Sequence, residues 1–168
     1  LDNLDIVWRK LKKIRDLGDP DAHKKIGIFG PQKRGKSTLI NVLVGLPILP
    51  TAPVPMTKTV VEVCHEPNLL GWKVYVHDDN GFIDLHHSED PSHVAELVEK
   101  FGTHRGKERG IEKIRIHGPF PGCQVLGRGG ILVDTPGAEL AFTCEGEAVE
   151  VDTARALRIL DDVHAVLF

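Results

Sequence analysis

Residues Gly30-Pro31-Gln32-Lys33-Arg34-Gly35-Lys36-Ser37 restrict what this chain can fold into more than any other stretch. They match the pattern G-x-x-x-x-G-K-[ST], and their flanks are the ones that pattern needs to have physical meaning. Lys25-Ile26-Gly27-Ile28-Phe29 reads as a short buried strand, and Thr38-Leu39-Ile40-Asn41-Val42-Leu43-Val44 continues as an apolar helix. In such a strand–loop–helix unit, successive backbone N–H groups curl around a phosphate, and the helix N-terminus adds positive partial charge. The pattern assigns Lys36 to the β- and γ-phosphates and the Ser37 hydroxyl to Mg2+. A nucleoside triphosphate is the expected ligand, held by Gly30, Pro31, Gln32, Lys33, Arg34, Gly35, Lys36, Ser37 and Thr38.

A second motif lies far downstream. Gly130-Ile131-Leu132-Val133 predicts a fully buried strand that delivers Asp134-Thr135-Pro136-Gly137 at its carboxyl end. Ligands of open α/β sheets sit at the carboxyl ends of strands, so Asp134 and the phosphate loop are expected to converge. Asp134 then holds Mg2+ opposite Ser37, usually through water. The Gly137 N–H, with no side chain in the way, meets the γ-phosphate and senses its loss. Alone, D-x-x-G is a common turn; after a buried strand and a complete phosphate loop it is specific. A threonine between the motifs is needed to complete the metal shell. Thr57 leads, placed just before a predicted strand, with Thr59 and Thr51 as alternatives.

The segments between the motifs alternate or repeat in recognisable ways. Leu46 to Pro55 is too rich in proline for a regular element. Val60–His65, Gly71–His77 and Ile111–Ile116 read as strands, and Asn80-Gly81 as a hairpin turn returning through Phe82–Leu85. Asp90-Pro91 opens a helix whose buried face is Val94, Leu97, Val98 and Phe101. A helix from about Glu147 to Leu160 and a buried strand over Val163–Phe168 follow. Leu4, Val7, Trp8, Leu11, Ile14 and Leu17 line one face of a helix before Gly18-Asp19-Pro20. That helix packs on protein or, with its basic opposite face, lies on a membrane; Asp2, Asp5 and Asp16 dilute the second reading.

At 168 residues the chain suffices for one domain with a core, and its net charge of −3 gives no basic stripe, so nucleic acid is not an expected partner. No apolar run is long enough to span a membrane, and Leu1-Asp2-Asn3-Leu4-Asp5 is unlike a signal peptide, so a cytoplasmic location is expected. Cys64, Cys123 and Cys144 form no C-x-x-C pair and read as free thiols. His77, His86 and His87 show no ligand spacing and read as part of a polar, solvated loop.

Gly30–Ser37 with Thr38-Leu39-Ile40-Asn41, then Gly45, Leu49-Pro50-Thr51, Pro55-Met56-Thr57, Ile114-Arg115-Ile116-His117-Gly118-Pro119 and Asp134-Thr135-Pro136-Gly137, together resemble the dynamin superfamily of large GTPases. The long step from Thr57 to Asp134 also resembles that family, whereas translation-type and Era-type GTPases use a shorter hairpin. The resemblance implies an α/β P-loop NTPase of GTPase type, with a mixed, mostly parallel sheet and helices on both faces. It covers about residues 25–168; the guanine-reading motif [NT]-K-x-D does not occur, so an incomplete domain is expected. The division is residues 1–20 as amphipathic helix and connector, and 21–168 as partial GTPase domain.

The resemblance further implies GTP and GDP as ligands, Mg2+ as cofactor and hydrolysis of GTP. It also implies a homodimer across the nucleotide face and peripheral membrane contact through parts not in this chain. Gln32 matches the family's loop, but Lys33 replaces a serine that helps hold a monovalent cation, and related guanylate-binding proteins carry an arginine there. Gln32, Lys33 and Thr57 are therefore the expected catalytic residues, with Lys33 supplying positive charge itself. An Era-type switch, or a module that binds nucleotide with negligible hydrolysis, is the alternative.

Overall fold

Apolar residues that alternate along the predicted strands resolve, in the computed structural model, into two sheet faces of different character. The structure describes residues 22–30, 34–51, 59–81, 83–102, 110–127, 129–135 and 159–167, with positions 11, 15, 18 and 19. The elements are β1 (Lys24–Ile28), α1 (Lys36–Val44), β2 (Val60–His65), β3 (Trp72–Asp78), β4 (Ile83–Ser88), α2 (Pro91–Gly102), β5 (Ile111–Gly118), α3 (Gln124–Gly127), β6 (Gly130–Asp134) and β7 (Ala165–Leu167). One mixed sheet holds all the strands in the order β4-β3-β5-β2-β6-β1-β7. The pairs β1–β6, β1–β7 and β2–β5 are parallel, and β2–β6, β3–β4 and β3–β5 are antiparallel.

The period-2 rule sends alternate side chains to opposite faces. Ile28, Val61, Val63, Val74, Val76, Ile114, Ile116 and Leu132 point to one face, where they pack with Ile40 and Val44 of α1 and Val94, Leu97, Val98 and Phe101 of α2. On the other face Phe29, Cys64, Ile131, Val133 and Val163 pack with Ile159 and Leu160. Helical residues thus cover both faces, as expected for an α/β sheet containing parallel strand pairs.

Helix boundaries follow local chemistry. Asp90 Oδ1 accepts from the Ser92 N–H at 2.8 Å, an N-cap beside the proline at the first helical position of α2. Gly45 closes α1 at φ 73°, and the Leu46 N–H donates to the Asn41 carbonyl at 3.1 Å.

Glu62 is a deeply buried acid, 2% exposed in the middle of β2. Its two oxygens are met from both sides. Lys25 Nζ lies 2.9 Å from Oε1, and Arg115 donates to Oε2 through Nε at 2.7 Å and Nη2 at 2.6 Å. Lys25 also bonds Asp162, so β1, β2, β5 and the end of the last described helical turn share one charge cluster. Burial alone would raise the Glu62 carboxyl, but Lys25 and Arg115 outweigh it and hold its pKa below the ordinary glutamate value. Replacing Glu62 by alanine leaves two partly buried cations facing each other and should cost about 3 kcal/mol. Because the folded pKa is depressed, the stabilisation is complete above the unfolded value of about 4.3 and fades as pH falls through the lower folded value. Urea unfolding of both proteins should therefore differ most near neutral pH and converge in acid; equal midpoints at pH 7 would refute this role.

Several sequence expectations need correction. His77 lies in β3, as the strand reading of Gly71–His77 has it, whereas His86 and His87 lie in β4, which runs to Ser88, and not in a polar loop. Cross-strand partners on β3 hold this stretch extended despite its polar composition. A short helix, α3, precedes β6, and the last strand is shorter and more exposed than expected. The expected helix over residues 1–17 falls largely outside the described residues, as does the one over 147–160, of which only 159 and 160 are described, both helical.

Candidate functional site

The site is built where β1 and β6 end side by side. Their parallel register sets Ile28 against Asp134, and the Thr135 hydroxyl donates to the Ile28 carbonyl at 2.7 Å, tying the two strand ends together. The chain leaving β1 turns through Gly30 at φ +149° and enters α1 through Gly35 at φ +82°. Gly35 occupies the N-cap without a side-chain cap bond, so the first amides of α1 are not consumed by a capping side chain. A side chain at Gly35 would be strained by this backbone conformation.

Lys36 folds back over the loop, and its Nζ donates to the Gly30 carbonyl at 2.9 Å. Burial lowers its pKa, and the nearby Asp134 charge opposes that shift. Ser37, one residue on, donates its hydroxyl to Asp134 Oδ2 at 2.6 Å. Asp134 is only 7% exposed, and its Oδ1 is buried without a hydrogen-bond partner among the described residues. Burial raises the Asp134 pKa, with the Ser37 hydrogen bond and the Lys36 charge pulling the other way. An orphaned carboxylate oxygen beside a hydroxyl is a pair of hard oxygen donors, the chemistry that suits Mg2+. The residues present therefore fit the ion.

The structure thus brings together Gly30, Gly35, Lys36, Ser37 and Asp134, while Arg34 and Thr38 belong to the same loop and helix start. Pro31, Gln32, Lys33, Thr57 and Gly137 lie outside the described residues. Of the alternatives to Thr57, Thr59 is 5% exposed and its hydroxyl donates to the Ile111 carbonyl on β5 at 3.4 Å. Thr51 is exposed.

Two supporting residues had no separate signal in the sequence. Asn41 clamps the loop after α1, donating to the Leu49 carbonyl at 2.8 Å and accepting from the Leu49 N–H at 2.9 Å. Thr135 sits inside D-x-x-G, where the pattern leaves its identity open. Only the neighbouring strand shows what its hydroxyl does.

Comparison with known proteins decides the family. The sequence profile described as the Dynamin family matches residues 26–143, well over half of the chain. The chain belongs to the dynamin family. Among curated relatives, Dynamin-like protein 2 of Campylobacter jejuni subsp. jejuni serotype O:23/36 (strain 81-176) is 28% identical over 152 residues, 88% of this chain and 21% of its own length. An uncharacterized protein in the xynA 3' region of Caldicellulosiruptor sp. (strain Rt8B.4) is 30% identical over 144 residues, covering 84% of this chain and 31% of its own. The chain therefore spans a third or less of these relatives.

Two solved structures of an oligomerised bacterial dynamin pair, described there as a mechanism for long-range sensing and tethering of membranes, share the fold. One has a TM-score of 0.60 at 21% identity, over 92% of this chain and 21% of the other. The second has a TM-score of 0.60 at 20% identity, over 98% of this chain and 26% of the other. No helix among the described residues is long and apolar enough to cross a membrane.

Proposed function

We propose that this dynamin-family chain supplies the phosphate- and metal-binding half of a GTP hydrolase. The observation that carries the reading is the pairing of Ser37 with Asp134, whose second oxygen is buried and unpartnered, directly beside the lysine of the phosphate loop. Guanine preference comes with the family; residues 21–168 form part of its GTPase domain, and residues 1–20 a helix outside it.

In this reading the loop amides after Gly30 and the start of α1 cradle the phosphates, flanked by Arg34 and Thr38. Lys36 exchanges the Gly30 carbonyl for phosphate oxygens, a charge-assisted bond roughly twice as strong as a neutral one. Ser37, Asp134 and Thr57 hold Mg2+, which when bound neutralises charge on the β- and γ-phosphates. Gly137 donates its N–H to the γ-phosphate. Gln32 and Lys33 stabilise the charge that develops as the phosphoryl group leaves, Lys33 as an internal cation. In the whole protein, hydrolysis is coupled to dimerisation across the nucleotide face and to peripheral contact with a membrane.

Phosphate release by the full-length protein tests this. Release should require Mg2+ and rise with anionic liposomes, and it should need no added potassium. Thr57→Ala should abolish it, and Lys33→Ala should slow it about tenfold or more. Release indifferent to liposomes would favour a soluble switch, no release would favour a binding module, and unchanged turnover in either variant would remove that residue from the mechanism.

A further inference from the structure

β4 ends the sheet on the side away from the nucleotide site, and among the described residues no strand pairs with its outer edge. Exposed edges are normally guarded by lysine, proline, a bulge or a short strand. Lysine, proline and a bulge are absent from β4, which carries a single charged side chain, Asp84. Ile83-Asp84-Leu85-His86-His87-Ser88 contains neither lysine nor proline, is six residues long, and pairs with β3 without interruption from Trp72↔Ser88 to His77↔Ile83. Ile83 and Leu85 are 51% and 42% exposed, on the same face as Tyr75 across the ladder.

The order of side chains says what this edge fits. Pair β4 with an antiparallel copy of itself about a two-fold axis through Leu85. Leu85 then opposes Leu85, Ile83 opposes His87, and Asp84 opposes His86 on both sides of the axis. Asp84 and His86 already attract each other within one chain, at 3.1 Å between Oδ2 and Nε2, so the same two groups offer matched partners across the axis. Shifting the axis to His86 would instead set His86 against His86. A two-fold axis perpendicular to the sheet also keeps both copies' Ile83, Leu85 and Tyr75 on one face, where they form a continuous apolar cluster.

We propose that β4 is a self-pairing edge: two copies join through it, centred on Leu85, into one continuous sheet. The contact is small, below the ~1,200 Å² of stable complexes, so the dimer is weak and concentration-dependent. β4 is separated from β6 by β3, β5 and β2, about 19 Å at ~4.8 Å per strand, so the contact leaves the nucleotide site free. It is therefore distinct from a dimer across the nucleotide face, and forms without nucleotide.

Sedimentation velocity of the full-length, nucleotide-free protein over a concentration series tests it. Asp84→Arg places arginine against His86 of the second copy, and His86→Glu places glutamate against Asp84; each variant alone should associate roughly tenfold or more weakly than wild type. Mixed together, the two variants should recover association. The introduced arginine of one copy then faces the introduced glutamate of the other, while the native His86 and Asp84 face each other across the axis. Thermal unfolding of each variant confirms the fold, and a variant that fails it is replaced by Leu85→Lys, which should also remove the dimer. Leu85→Cys should form an interchain disulfide on mild oxidation without nucleotide. A wild type monomeric throughout the series, a mixture no better than either variant, or no disulfide above the wild-type background would each overturn the proposal.

Discussion

Replacing Lys36 with alanine is expected to slow GTP turnover by two to three orders of magnitude while leaving the fold intact. The Lys36 ammonium sits over the loop on the Gly30 carbonyl, half-buried, and no other described lysine bonds that loop's backbone. An ammonium moved from a carbonyl to a phosphate gains a charge-assisted bond, and that bond strengthens as charge builds on the transferring group. Removing one such stabilising donor from a water-poor site costs about 3–4 kcal/mol of barrier, or ~10²–10³ in rate. The structural cost is small because Lys36 lies in the first turn of α1, whose core contacts are made by Ile40 and Val44. Steady-state phosphate release with matched circular dichroism checks both halves. A variant within tenfold of wild type would mean that phosphate binding rests on the loop amides and not on this side chain.

Asp134→Asn is expected to act in two opposite directions. The Asp134 carboxylate is buried with one oxygen unpartnered, and burial raises its pKa above the ordinary aspartate value. The sign follows from linkage. A raised carboxyl pKa in the folded state means this group favours folding below the unfolded value, about 3.9. That advantage is lost as pH rises through the folded value. At neutral pH the ionised group is therefore a liability to the metal-free fold. Asparagine keeps an acceptor for the Ser37 hydroxyl and removes the charge, so the metal-free variant should unfold at higher temperature than wild type. Its turnover should fall about a hundredfold, since it loses several kcal/mol of metal-dependent charge stabilisation. Thermal unfolding with and without Mg2+ and a non-hydrolysable GTP analogue separates the effects: ligand should stabilise wild type far more than the variant. A metal-free variant less stable than wild type would show that the Asp134 charge is compensated within the protein.

These two residues also show how much of the site was legible in advance. The phosphate-loop pattern spans eight consecutive positions, and the chemistry it implies depends on backbone geometry that glycine spacing dictates locally, so spacing alone was enough to point to it. D-x-x-G became informative because a buried strand could be read just before it. The strands β2, β3 and β5 were legible from alternation, and the proline at the start of α2 from capping chemistry. By contrast, Glu62 sits in an otherwise apolar strand and gives no local sign of its role, since Lys25 and Arg115 reach it from strands distant in sequence. Asn41 likewise gains its meaning only from Leu49. The polar second half of β4 read as loop because its extended form is imposed by β3, not by its own composition.

By itself, then, the amino-acid sequence pointed to the family and to the chemistry proposed for this protein, because a phosphate-loop pattern and a strand-end aspartate are short-range signals. The tertiary structure alone decided that Ile28 and Asp134 share a register, that one Asp134 oxygen is buried without a partner among the described residues, and that Thr59 is turned toward β5. It also decided that β4 is an open edge among the described strands. Each of these depends on which strands become neighbours. That choice is made by burying two faces of one sheet at once, an energy spread over residues far apart in the chain.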